Sequence, residues 1–220
     1  MSEWWTYRLG SFLLFSPRTY YRLFELYNRA VWPAQVLALA LGLWMTGLLR
    51  RGGPVATRWI CGILATCWLW SGMAFLALRY ARINWAATDF AWAFAAEAAL
   101  LLWAAARGRI TFGPPRDLAG RTGFALALLS VAVYPLLAPI LGRGWRSAEI
   151  FGLAPDPTAV ATLGALLTAK GGRRWPLMAI PILWCLVTGV TLLAMKAPDC
   201  WVAPALAALA VALSAGLRRR

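Results

Sequence analysis

Not one of the 220 residues is a histidine, and only eight are aspartate or glutamate. The usual near-neutral acid–base group, which is also the commonest metal ligand, is therefore missing. Four cysteines are present, Cys61, Cys67, Cys185 and Cys200, without a CxxC pair. Three lie inside apolar runs and read as buried thiols, with metal ligation or a disulfide as the alternative. A glycine-rich nucleotide loop, an HExxH zinc helix and a nucleophile elbow are all absent. These gaps argue against an enzyme and call for no cofactor and no metal centre. Long polar stretches are also missing. The N-terminus, MSEWWTYRLG, has an acid and aromatics where a cleavable signal peptide would have a basic region before an apolar core.

What fills the chain is apolar. Hydrophobic residues make up 61% of it and the mean hydropathy is +0.64. That exceeds a soluble globular domain and points to an all-α integral membrane protein, a polytopic chain held in the bilayer by transmembrane helices. At this length, one membrane domain over residues 30–220 follows an N-terminal segment over 1–29. Net charge is +14. The arginines fall between apolar runs, so topology and anionic lipid headgroups explain them better than nucleic acid does.

Residues 16–29, SPRTYYRLFELYNR, are too polar to span. Ser16 suits an N-cap and Pro17 the first turn. Tyr20, Leu23, Phe24 and Tyr27 share one helix face. The stretch reads as an interfacial amphipathic helix lying on the membrane, or else as a helix packed on loops. About seven spans follow: Ala30–Leu49, Trp59–Leu78, Ala86–Ala106, Thr122–Leu141, a broken fifth over Ile150–Ala169, Trp175–Met195 and Trp201–Leu217. RGRITFGPPRDLAGR, after the third, is the longest polar loop. Trp32, Trp59, Trp85, Trp145, Trp175 and Trp201 sit near span ends, where an aromatic belt belongs. No internal repeat marks an inverted-repeat transporter.

Lysine and arginine number 13 on the side of the loops after spans one, three and five, and 9 on the other side. The positive-inside rule then puts the C-terminus in the cytoplasm and the N-terminus outside. This register holds only if the fifth segment crosses.

That fifth segment, IFGLAPDPTAVATLGALLTA, contains Pro155, Asp156 and Pro157. Asp156 would cap a helix beginning at Pro157. The remaining helix would be about 18 Å long, short of a hydrocarbon core of about 30 Å. Irregular backbone at that depth needs protein or a wet cavity around it. A helix starting there would expose free N–H groups and a positive dipole end, which bind anions. Glu97 lies in the middle of the third span, where an unpaired carboxylate is costly. It is read either as a proton or cation site or as a structural acid paired with a neighbouring helix. Glu97, Asp156 and Thr158 are the expected lining of one outward-facing substrate or ion pocket, the alternative for Asp156 being a plain helix cap. Asp89 can be solvated. Ala91 with Ala95, and Ala203 with Ala207, suit close helix packing.

Three N-terminal pieces carry a family resemblance: Trp4–Trp5–Thr6–Tyr7, Phe15–Ser16–Pro17–Arg18–Thr19–Tyr20 and Phe24–Glu25–Leu26–Tyr27–Asn28. A second block is Phe151–Gly152–Leu153–Ala154–Pro155 with Pro157–Thr158 and Leu163–Gly164. In these the chain resembles a family of small bacterial polytopic inner-membrane proteins of unknown function, sometimes labelled permeases. Many members of that family carry Cys–Pro–Thr where this chain has Asp156–Pro157–Thr158, and Gly–His where it has Gly142–Arg143. Metal or thiol chemistry suggested by those residues does not carry over here. The expected function is a small-solute or ion transporter or channel with a pocket near Glu97 and Asp156; the alternative is a non-catalytic membrane subunit or scaffold. Expected partners are the lipid bilayer, anionic headgroups, and a second copy or a membrane-complex subunit.

Overall fold

A computed structural model describes residues 15–170 and 174–217. The Trp4–Trp5–Thr6–Tyr7 piece and Arg218–Arg220 lie outside the described residues. Nine α-helices and a two-stranded ladder make up the described chain: α1 (Pro17–Ala30), α2 (Ala34–Arg51), α3 (Pro54–Trp70), α4 (Ala87–Ala106), β1 (Thr111–Phe112), α5 (Leu118–Ala132), α6 (Leu137–Ile140), α7 (Pro155–Leu167), β2 (Ala169–Lys170), α8 (Trp175–Ala194) and α9 (Val202–Leu217).

The short, interrupted fifth segment forms the centre of the molecule. Every residue of α7 is buried, packed among α5, α8, α9 and α3. Its composition allows this: alanine, threonine, glycine and leucine leave no long polar side chain to solvate. The closest neighbour is α5, and the approach is between backbones. A Cβ built on Gly164 would lie 2.6 Å from both the Ala127 nitrogen and the Gly123 oxygen. Small residues allow such contact where larger ones would hold the helices apart. The alanine pairs named from sequence matter less: Ala203 and Ala207 are buried, whereas Ala91 and Ala95 are half-exposed.

Among the described residues, three helices are long and apolar enough to cross a membrane: the continuous helix Pro54–Arg82, then Ala87–Ala106 and Trp175–Ala194. The number reaches five if two bent pairs each count as one span. These are α1 with α2, bent by 91°, and α5 with the following Tyr134–Ile140 helix, bent by 45°. Of the about seven spans expected from sequence, with the fifth broken, three to five are thus found among the described residues, and α7 and α9 have only 13 and 16 residues. The break inside the fourth has a local cause. Pro135 offers no N–H to continue α5. The second span is longer than expected, since α3 runs on through a π-helical stretch, Ser71–Ala77. Large apolar side chains such as Leu37, Trp92 and Leu183 stay exposed on the outside. This surface is compatible with a membrane protein.

The loops separate into two sets. At one end, the Gly53 N–H donates to the Phe112 carbonyl, β1 pairs with β2, and the Gly113 N–H donates to the Thr168 carbonyl. The stretch expected to be a long polar loop instead turns inward here, burying Ile110 and Phe112. At the other end, α1 meets residues 71–82 and 144–154, and Arg143 meets Asp199. These are the same two groups into which the basic residues sort. The central helix runs from one end to the other.

The α1 helix starts as the sequence suggests, with the Ser16 hydroxyl accepting from the Thr19 N–H at 3.2 Å. Its aromatic face is covered by protein, however. Phe24 stacks on Phe75 with ring centroids 4.5 Å apart, and Tyr20 meets Tyr80 edge-on at 5.9 Å.

Gly164→Val should lower the melting temperature of the detergent-solubilised protein, overpacking costing about 1–3 kcal/mol or more. Gly47→Ala, a position with nothing within 4 Å of the added carbon, should leave melting unchanged or slightly raised.

Candidate functional site

A helix that begins inside a protein must dispose of four N–H groups. The start of α7 removes two of them by covalent means. The helix begins at Pro155, with Ala154 as the N-cap residue. The Ala154 N–H donates to the Ile150 carbonyl at 2.8 Å. Pro155 and Pro157 have no N–H to offer. Only the Asp156 N–H is left. The expectation that Asp156 caps a helix starting at Pro157 is therefore corrected: it sits in the first turn, where a carboxylate complements the helix dipole. The anion site expected from a row of free N–H groups loses its donors for the same reason.

The loop before α7 is held by named bonds. The Tyr27 hydroxyl donates to the Leu153 carbonyl at 3.1 Å, and Trp70 Nε1 donates to that hydroxyl at 2.9 Å. Asn28 Nδ2 donates to the carbonyls of Arg146 and Ala148. The Ser71 hydroxyl, in the π-helical stretch, donates to the Gly152 carbonyl at 3.2 Å. Gly152 has φ +80°, and a Cβ there would lie 2.8 Å from Cys67 Sγ. Glycine is required on both counts. The Thr158 hydroxyl accepts from the Gly152 N–H at 2.9 Å and donates to the Ala154 carbonyl at 2.7 Å. That hydroxyl is occupied in holding the loop.

This scaffold brings charged groups together. Arg143 donates to Asp199 Oδ2 at 2.7 Å and stands 3.9 Å from Glu149 Oε1. Its guanidinium lies over the Tyr21 ring, 4.4 Å from the centroid. Asp156 Oδ1 accepts from both Trp184 Nε1 and the Thr188 hydroxyl, each at 2.7 Å. Glu149, Asp156 and Asp199 are all at least nine-tenths buried. Two carboxyl groups thus approach one guanidinium, and Asp156 is held by Trp184 and Thr188 instead. Burial, then the neighbouring Asp156, push the Glu149 carboxyl well above the ordinary carboxylate range, against the opposing pull of Arg143. Beside Asp156 lies a hollow of about 10 Å³, walled by Tyr20, Phe75, Tyr80 and Trp184. That is room for roughly one water molecule.

Glu97 does not join this group. It is fully buried on α4, its two carboxylate oxygens have no hydrogen-bond partner among the described residues, and it does not line the hollow beside Asp156. One turn earlier on α4, Phe94 packs edge-on against Trp184 at 5.0 Å. That ring, not Glu97, reaches the surroundings of Asp156. Of the three residues expected to share a pocket, Asp156 and Thr158 stand at the start of α7 and Glu97 stands apart.

Residues 18–220 match a protein family described as a family of unknown function (DUF6064). The chain belongs to this family. No curated protein and no solved structure matches it. Within this DUF6064 chain, the two blocks singled out in the sequence meet in space, through the bond of Tyr27 to Leu153. Glu149, Asp199, Trp184, Thr188 and Tyr134 were not legible as site residues. The only sequence signal was that Glu149, Asp156 and Asp199 all fall on the less basic side.

Breaking the buried pair should be costly. Arg143→Met should destabilise the protein by about 3–5 kcal/mol, and adding Asp199→Leu should recover part of that loss. Thermal melting of both variants in detergent checks this. A carboxyl whose folded pKa lies above its unfolded value binds its proton more tightly when folded. Its stabilising contribution is complete below the unfolded value and disappears as pH rises through the folded one. Stability should therefore fall as pH is raised above the ordinary carboxylate range. The Glu149→Gln variant should show a flatter profile.

Proposed function

We propose that this protein is a multi-pass inner-membrane protein that moves a small solute or ion, and that the cluster of Glu149, Asp156 and Asp199 holds a proton in that process. The observation that carries this reading is the excess of carboxyl groups over cations in a buried site, three acids to one arginine. Buried carboxyl groups in excess of their counter-ions do not all ionise. The three acids, with Arg143 as the one cation paired to them among the described residues, therefore share a proton. The hollow beside Asp156 admits one water-sized occupant, enough to relay that proton. Trp184 and Thr188 hold the ionised form of Asp156 in place. The role is transport rather than catalysis, with the C-terminus cytoplasmic and the N-terminus outside.

A second reading is a non-catalytic membrane subunit, favoured by the complete burial of α7. A proteoliposome assay separates the two. With a pH-sensitive dye inside and an imposed pH gradient, the native protein should release the gradient in the presence of its solute, and Asp156→Asn should not. If a broad panel of ions and small solutes gives no difference between native protein and empty vesicles, the transport reading fails and the subunit reading stands.

A further inference from the structure

At the opposite end of the bundle the chemistry is reversed. A hollow of about 310 Å³ is lined by Arg116, Lys170 and Arg174, with Asp117 as its one acid. Its construction is specific. The β1–β2 ladder places Lys170 opposite Thr111. The stem of Lys170 lies across Gly113, where an added Cβ would be 2.7 Å from Lys170 Cε. The glycine is what lets the lysine lie there. Asp117 is already engaged, accepting from the Gly120 N–H at 2.7 Å as the cap of α5. Arg174 Nη1 is buried with no hydrogen-bond partner among the described residues. Three cations thus converge on a cavity whose single acid is largely committed to its own helix.

The surroundings indicate what would fill it. The hollow lies level with the last turn of α7, the cap of α5 and the approach to α8, at the end of the bundle that carries the larger share of basic residues. Leu118, in the first turn of α5, is 74% exposed. A ligand with its anionic group in the hollow could lay an apolar tail beside that leucine and along the exposed helix faces. Basic pockets between membrane helices on the cytoplasmic side suit lipid phosphates.

We propose that the hollow formed by Arg116, Lys170 and Arg174 binds the phosphate of an anionic glycerophospholipid. This rests on the membrane reading but not on transport. The probe is phosphatidylglycerol, with phosphatidylcholine and inorganic phosphate as comparisons. Native mass spectrometry of the full chain in detergent measures retention of each. The native protein should retain phosphatidylglycerol more tightly than phosphatidylcholine. The double variant Lys170→Gln, Arg174→Gln should weaken phosphatidylglycerol by about tenfold or more. A matched double variant at the same end, Arg58→Gln with Arg109→Gln, should change it little. Unchanged melting of both variants shows that they fold. Equal losses in the two variants would overturn the proposal in favour of general surface charge. Displacement of the lipid by millimolar inorganic phosphate would overturn it in favour of a free-phosphate site. Flotation of the native protein with phosphatidylcholine vesicles tests the membrane reading separately: a chain that floats but shows no lipid preference retains that reading and loses this site.

Discussion

A helix buried on every side has no solvent to satisfy its polar ends, and much of this structure answers that constraint on α7. At its start, Pro155 and Pro157 remove two donors and the Ile150 carbonyl takes a third, which leaves the Asp156 N–H as the fourth. At its finish, the Thr168 N–H and hydroxyl both donate to the Ala165 carbonyl, and the Thr168 carbonyl accepts from Gly113. The chain then enters the β1–β2 ladder at Ala169. The threonines in between bond within the helix, and Thr162 also accepts from Trp68 Nε1 at 2.9 Å. No buried side-chain polar atom of α7 lacks a partner among the described residues.

Placing Asp156 at that buried start has its own electrostatic cost, which the neighbours offset. Trp184 and Thr188 donate to one oxygen, and the helix dipole favours the charge. Arg143 neutralises Asp199 and approaches Glu149, but no cation reaches Asp156 in the hydrogen bonds and ion pairs of the described residues. A single guanidinium cannot balance three carboxylates, so the protonation state of the group is tied to its geometry. The loop before α7 is fastened at several points around this group.

Sequence reasoning found the outlines of this arrangement through local signals. Proline at 155 and 157 marked the interrupted segment, Ser16 and Pro17 marked the start of α1, and alternating basic loops sorted the chain ends into two groups. Each depends on a few adjacent residues. The site was less legible because its members meet across long separations. Arg143 and Asp199 lie in different connections, and Trp184 is one of 14 tryptophans. Nothing near Trp184 in sequence distinguishes it from the tryptophans at helix ends. Glu97 drew notice for being a lone acid in an apolar run, yet burial without a partner places it away from the acids that do cluster. The inward turn of Ile110 and Phe112 was hidden by the arginines, glycine and prolines around them, which read as solvated loop. The glycine contact of α5 with α7 was hidden in another way, since Gly123 and Gly164 acquire meaning only as a pair.

The complete enclosure of α7 also constrains the order of assembly. Of the helices that enclose it, α3 and α5 precede it in the chain, whereas α8 and α9 follow. When α7 leaves the ribosome, half of its wall does not yet exist. Its proline-sealed start and short, small-residue body let it rest against α5 by backbone contact during that interval. The last two helices then close over it, and Trp184 and Thr188 of α8 reach Asp156 only at that stage. The acid cluster is therefore completed late in synthesis, by residues that arrive after the carboxylate they hold.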